Sequence, residues 1–306
     1  MNNLIRFILP VIGVLMLTNA CDQDKIYTEE LYQQVIALVC SDNYNILEYT
    51  HELGSEELGY VVASCGGTGA VEKDVHISLT EDHSVLENYN WAMYDIDQSK
   101  YAHFLPSSKY VIDNLQITIP KGEHSGWMGI RFRPDGLSPD SVYFLPLSID
   151  SLSAYTVNPD KSNILYRVLI KNQYAEQLAA GYTNYRMDGF RNTSATTILQ
   201  KPVQPLAANK VRMMAGNLAF SASVPTFEAG AIVLEITGNQ VQIKPYKEDG
   251  DLIITQLDDH PLYPNTYQIV YEWDRKYREF RLHYTYKAGS DGEVEMQEQL
   301  RLEVFD

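Results

Sequence analysis

Apolar and polar residues alternate along most of this chain in short runs broken by glycine, proline and asparagine, which is the pattern of antiparallel β structure. Val75-His76-Ile77-Ser78-Leu79 is the clearest case, with Val75, Ile77 and Leu79 on one face and His76 on the solvent side. Gln34–Cys40, Leu58–Cys65, Tyr110–Ile112, Leu115–Ile119, Gly126–Phe132, Val142–Ile149 and Ile164–Ile170 read as further strands. Proline cannot donate to a ladder, so Pro146 predicts an edge or a bulge for its strand. Thr80–Tyr94 departs from the alternation, and Asp82 is placed to cap a short helix running through Leu86 toward Trp91. Short strands with turns about every 8–12 residues predict a sandwich of immunoglobulin-like architecture.

The second half opens on Asn172–Gly181, where Asn172 as an N-cap and Gly181 as a left-handed stop predict one short helix. A β pattern then runs from Gly181 to Tyr185 and through Thr196–Leu199, Asn217–Val224, Ala231–Thr237, Gln240–Lys244 and Leu252–Leu257. Gly238-Asn239 is a two-residue hairpin signal. Near the end, Tyr267, Ile269, Tyr271 and Trp273 share one face and Phe280, Leu282, Tyr284 and Tyr286 another, with Asp274–Tyr277 as the turn. Glu293–Phe305 alternates too, through Met296, Leu300, Leu302 and Val304. So many antiparallel strands predict a closed barrel, because closure removes unpaired edges. The fold class is therefore all-β: a sandwich over 31–171 followed by a barrel over 172–306.

Residues 1–20 change the picture of where these modules work. Arg6 precedes an apolar run from Phe7 to Leu17, too short to span a bilayer and suited to a signal peptide. Ala20-Cys21 resembles the lipobox of bacterial lipoproteins, which implies an acylated Cys21 at the mature N-terminus and a membrane as partner through that lipid. Residues 21–30 then read as a tether, and Asp22-Gln23-Asp24-Lys25 looks like the acidic signal that sends lipoproteins of the Bacteroidetes to the outer face of the outer membrane. The formal net charge of −16 repels a phosphate backbone, so nucleic acid is excluded as a partner.

Candidate chemistry is sparse. Cys40 and Cys65 end apolar runs and read as buried free thiols, with a disulfide between strand ends as the alternative. His51-Glu52 opens a zinc-protease motif, but Ser55 stands where the second ligand belongs, so the pair reads as surface loop. Asp258-Asp259-His260 reads as a solvent-facing turn between apolar strands and Pro261. Glu56-Glu57 and the pair Asp95 and Asp97 are sequence neighbours, which does not set two carboxylates across a cleft. No nucleophile elbow, phosphate loop or dinucleotide fingerprint occurs, so no catalytic residue, metal or cofactor is expected.

Sugar binding demands aromatic faces for pyranose rings and polar groups for hydroxyls. The chain holds 22 tyrosines and 3 tryptophans, and Trp273, Tyr277 and Tyr263 fall near strand ends of the second half, with Asp274 and Arg275 adjacent. These five are the candidate glycan-binding residues, while Trp91 and Trp127 read as core.

Several motifs together carry a family resemblance. Leu86-Glu87-Asn88-Tyr89-Asn90, Phe104-Leu105-Pro106 with Tyr110, the strand and turn Ile117–Gly122, Tyr143–Ile149 and Tyr155-Thr156-Val157-Asn158 follow one another in an order similar to the immunoglobulin-like N-terminal domain of two-domain surface lipoproteins of the Bacteroidetes. The Gly181-Tyr182 entry and the terminal hairpin resemble the lipocalin-like domain often paired with it. The resemblance implies a non-catalytic role at the cell surface beside an outer-membrane uptake complex, with a polysaccharide or oligosaccharide as partner. A structural protein that docks on a partner lipoprotein or transporter is the alternative. Asp140-Ser141-Val142 and Asp150-Ser151-Leu152 also resemble the O-glycosylation motif of exported proteins from these bacteria.

Overall fold

A computed structural model describes residues 34–305 apart from 68, 259 and 291. The predicted leader over 1–20, Cys21 and the whole of the predicted tether over 21–30 lie outside the described residues. The fold is all-β, as the alternation predicts: two sheets pack face to face in the first half, and a sheet closes on itself in the second.

The first sheet orders its strands as Thr156–Val157, Val35–Leu38, Glu57–Cys65, Ser125–Phe132 and Tyr110–Val111. The second orders Ile46–Glu52, Asn163–Lys171, Tyr143–Leu152, Val75–Glu81 and Gln116–Ile119. Inward positions of both meet in one core that includes Ile36, Val61, Ile77, Ile117, Ile130, Leu147, Ile164 and Tyr166, and His76 faces solvent as expected. The helix His83–Tyr94 begins where the alternation stops, and the Asp82 carboxylate accepts the Ser84 backbone N–H at 3.1 Å. Leu86, Phe144, Ala102 and Leu165 form a second small core beneath this helix, on the outer side of the sheet.

Several local expectations are overturned, each for a physical reason. Pro146 lies in a central strand, not at an edge, and the bulge that its strand does carry falls beyond it, between Ile149 and Ser151. Its cross-strand partner Leu165 sends its N–H away, to the Asn45 carbonyl of the neighbouring chain segment, so no ladder bond is asked of the proline. The outward-pointing Pro146 carbonyl accepts the Asp82 N–H at 3.2 Å, where the adjacent strand has already turned into helix. His51-Glu52 is not loop. Both residues end the edge strand Ile46–Glu52, which pairs in parallel with Asn163–Lys171, and His51 points inward with 3 % of its surface exposed. Trp91 and Trp127 are not core but surface, at 61 % and 63 % exposure.

Cys40 and Cys65 are not bridged to each other; Cys65 is buried and Cys40 half-buried. Burial, the larger effect, pushes the Cys40 thiol up in pKa against the pull of Lys161, which keeps it protonated and unreactive at neutral pH.

In the second half, eight strands close into an antiparallel barrel. The closing strand is Val294–Val304, which pairs with Arg275–Ala288 on one side and Gly181–Arg191 on the other. Its interior is filled by side chains, among them Tyr185, Met213, Leu234, Phe280, Tyr284, Met296 and Leu300. The predicted helix over Asn172–Gly181 does not form. The Asn172 side-chain oxygen accepts from the backbone N–H of Tyr174 and Ala175 as a cap would. Its amide nitrogen, however, donates to the Ala207 and Lys210 carbonyls of the barrel, and the chain continues as a turn into short strand pairing. Asn217–Val224 is not a strand either: Ser223 caps a helix over Val224–Gly230, whose Phe227 covers Arg212. The strand Lys210–Met214, interrupted in sequence by charges, escapes the alternation because Arg212 is buried on the covered face.

Arg212 also joins the two halves. Its guanidinium lies 3.8 Å from the centroid of Phe227 and 4.5 Å from that of Tyr246, and it donates to Asp140 on a loop of the sandwich. Gln177 and Tyr182 donate to the Pro139 carbonyl at 2.9 Å each, and Gln204 reaches Asp140 at 3.3 Å. Ser141 is half-buried in this joint, whereas Ser151 is exposed. Arg212→Ala leaves Asp140 without its cation at a desolvated joint and is expected to cost about 2 kcal/mol. Scanning calorimetry of the variant should show the single unfolding transition of the parent resolved into two, and an unsplit transition would refute the coupling.

Candidate functional site

The predicted hairpin forms, but with a tighter turn than the sequence suggests. Strands Thr266–Glu272 and Arg275–Ala288 flank Trp273-Asp274, and Glu272 pairs with Arg275. Trp273 occupies the tip at 102 % exposure with φ +58°, so its indole touches nothing. Arg275 is tied to Glu303 at 3.4 Å, and the Tyr277 ring is covered by the Arg301 guanidinium 4.2 Å from its centroid. Four of the five candidates thus share one hairpin tip. Tyr263 is separated from them: it lies in the loop that precedes this hairpin, at the other end of Thr266–Glu272, roughly 20 Å away by strand rise. There it packs against His260 at 5.1 Å.

Exposed aromatic residues also cluster on the sandwich. On the outer face of the first sheet Tyr60 and Trp127 meet edge to face at 5.1 Å, and Val39, Leu58 and Val62 surround them. The register places Val62 beside Trp127 and Gly129 beside Tyr60, so the glycine leaves the aromatic pair standing proud of the sheet. Two charge pairs, Arg131 with Asp113 and Arg133 with Glu56, bound this face on one side.

A third feature, which the sequence does not reveal, is a cleft of about 420 Å³ between the helix His83–Tyr94 and the edge strand that starts at Ile46. Tyr44, Asn45, Asp82, Asn88, Tyr89 and Asn163 line it. Asn43–Ile46 is a tight turn closed by the Ile46 N–H on the Asn43 carbonyl at 3.3 Å, and both central residues, Tyr44 and Asn45, are left-handed at φ +51° and +54°. That is a type I′ turn, which favours asparagine or glycine and disfavours tyrosine at its centre. The strained position aims the Tyr44 ring edge to face at Tyr89, 5.3 Å away. Tyr89 in turn packs on Phe144 at 5.2 Å, and burial pushes its phenol up to about 12, so it stays a neutral hydrogen-bonding group. Tyr44, Tyr89 and Asn163 are far apart in sequence, and only the stretch Leu86–Asn90, with its two asparagines around a tyrosine, hints at the site. The second of those asparagines, Asn90, is buried and holds Ala102 through both of its backbone groups.

Among the described residues, no group of three or more His, Cys, Asp or Glu side chains is arranged to hold a metal ion, and no helix is long and apolar enough to cross a membrane. Asp258 is spent on Gln256 and Asn265, and it fastens the loop instead of forming an acid–base pair with His260.

A sandwich joined to a filled antiparallel barrel, with aromatic rings on display, defines a two-domain all-β class. A family model of an N-terminal domain matches residues 27–156, and its companion C-terminal model matches residues 162–301. The chain belongs to this two-domain family. Solved structures share the architecture. A multidomain protein from Bacteroides ovatus is 14 % identical, with 88 % of this chain and 95 % of that chain covered at a TM-score of 0.63. A protein of unknown function from the same organism is 17 % identical, with 88 % and 92 % covered at 0.62. An auxiliary nutrient binding protein from Bacteroides thetaiotaomicron is 14 % identical, with 86 % and 92 % covered at 0.57. At these identities the likeness is one of fold. No curated protein matches the sequence.

Proposed function

We propose that this protein is a surface lipoprotein, anchored in the outer membrane through Cys21 and facing the exterior, that captures glycans without catalysis beside an uptake complex. One observation carries the reading: all three tryptophans, Trp91, Trp127 and Trp273, are more than half exposed. Leaving an indole in water forgoes on the order of 2 kcal/mol of burial, so three on one molecule mark a surface kept for contact. Flat rings with a polar N–H suit the alternating C–H faces and hydroxyl edges of sugars. The fold shared with an auxiliary nutrient binding protein and the Ala20-Cys21 leader pattern support the same reading.

Affinity electrophoresis of the mature chain against a polysaccharide panel tests it. At least one polymer should retard the parent protein, and Trp273→Ala or Trp127→Ala should reduce that retardation by about tenfold in apparent affinity. The apolar sheet face around Trp127 favours a second reading, docking on a partner lipoprotein or transporter. Silence across the panel, together with a partner that co-purifies and is lost on Trp127→Ala, would select that reading over glycan capture.

A further inference from the structure

We infer that the cleft between Tyr44 and Tyr89 is a binding site for a single neutral hexose unit, distinct from the exposed tryptophans. It deepens the glycan reading above and rests on it for its biological meaning. A tyrosine in a left-handed turn centre is costly, whereas asparagine or glycine would sit there without strain. An aromatic ring held at such cost over a cleft is a sign that the ring itself is used.

The polar lining points to the ligand. The Asp82 oxygens already accept from Ser84 N–H at 3.1 Å, Ser84 Oγ at 2.6 Å and Ser148 Oγ at 2.9 Å, which takes up about three of its four acceptor sites and leaves little of it to a ligand. No lysine, arginine or histidine is among the lining residues, and Arg167, the guanidinium that acts on Tyr89, is itself paired with Glu48 at 2.8 Å, so an anionic sugar meets the Asp82 charge without a free countercharge in the lining. Asn45 spends its amide N–H groups on the Asp160 carbonyl at 2.8 Å and on the Asn163 side-chain oxygen at 3.1 Å. What remains facing the cleft is the Asn45 oxygen, the Asn163 amide nitrogen and the whole Asn88 amide, which have no hydrogen-bond partner among the described residues. Uncharged donors and acceptors beside two phenol rings match a neutral polyol with one apolar face. The volume, about 420 Å³, falls near the lower end of small-ligand pockets and fits a terminal sugar better than the run of a polymer.

The test is saturation-transfer NMR and calorimetry on the mature chain with methyl glycosides of glucose, galactose and mannose, and with glucuronate and choline as charged controls. At least one neutral hexoside should bind, and both charged probes should not. Tyr44→Asn removes the ring while giving the turn a residue it prefers, so the melting temperature should hold or rise while hexoside affinity falls about tenfold or more. Asn88→Ala, on an exposed helix surface, gives a second loss of affinity independent of the turn. Trp273→Ala should leave hexoside binding unchanged. Equal binding of glucuronate or choline overturns the inference, as does hexoside binding unaltered in both cleft variants. If no hexoside binds while a polysaccharide is still retarded through the tryptophans, the inference fails and glycan capture stands. If a hexoside binds through Tyr44 and no polymer is retarded, the cleft stands and polymer capture fails.

Discussion

Replacing Lys201 by methionine is expected to cost about 3–5 kcal/mol, a large share of the net stability of an ordinary domain. The Lys201 ammonium is 3 % exposed and Glu298 is fully enclosed in the barrel. All three ammonium protons have partners: the Glu298 oxygens at 2.8 and 3.0 Å and the Gly216 carbonyl at 2.7 Å. Tyr284 extends the network by donating to Glu298 at 2.7 Å and accepting the Gly216 N–H at 2.7 Å. Burial lowers the Lys201 pKa more than Glu298 raises it, so at this site the loss of hydration outweighs the attraction of the carboxylate. The penalty of Lys201→Met therefore comes from the Glu298 carboxylate left enclosed without its cation. A double replacement, Lys201→Met with Glu298→Leu, should regain most of the loss, because no stranded charge remains. Urea midpoints at constant slope measure both, and a Lys201→Met midpoint equal to that of the parent would show that the buried pair contributes nothing.

A second large effect should appear as acid sensitivity from one histidine. His51 packs 4.4 Å from the Phe132 ring centroid with its Nε2 3.2 Å from the Tyr166 hydroxyl. Gly59 makes the space, since a Cβ there would fall 2.1 Å from that hydroxyl oxygen. Burial first, and Lys171 to a lesser degree, push the imidazole down to about 4 from its ordinary 6.5, against an opposing pull from Glu57 that is weaker than burial. The folded state thus resists the proton that the unfolded chain accepts. Stability from this group is present in full above pH 6.5, is lost progressively as the pH falls, and levels off below about 4. The span corresponds to about 3 kcal/mol. His51→Gln should flatten the curve of unfolding free energy against pH by that amount within this window, and parallel curves for parent and variant would exclude His51 as the cause.

Where neighbours in sequence become neighbours in space, the chain is readable. The Val75–Leu79 alternation, the Asp82 cap and the Gly238-Asn239 hairpin all form as predicted, because each is decided by interactions within a few residues. What fails is decided at a distance. Ile46–Glu52 is recognisable only through its parallel partner more than a hundred residues on, and Asn172 makes the hydrogen bonds of a cap while its amide is claimed by the barrel. Trp127 misleads in another way: the alternation around it puts Gly126 and Met128 inside and the indole outside, and only its size and apolarity argue for the core. The hairpin tip is legible for the same local reasons as the other turns. The cleft is not, because its tyrosines and asparagines come from three separate segments that meet only after the sandwich and its helix have packed.

Val294–Val304, the seam of the barrel, is bonded to a neighbour in sequence on one flank and to Gly181–Arg191, over a hundred residues upstream, on the other. Until it emerges, two long ladders lack a partner and invite pairing with other chains. Assembly of this half must therefore wait for nearly the whole chain, which makes it slow and leaves the polypeptide unsealed until its last strand is made.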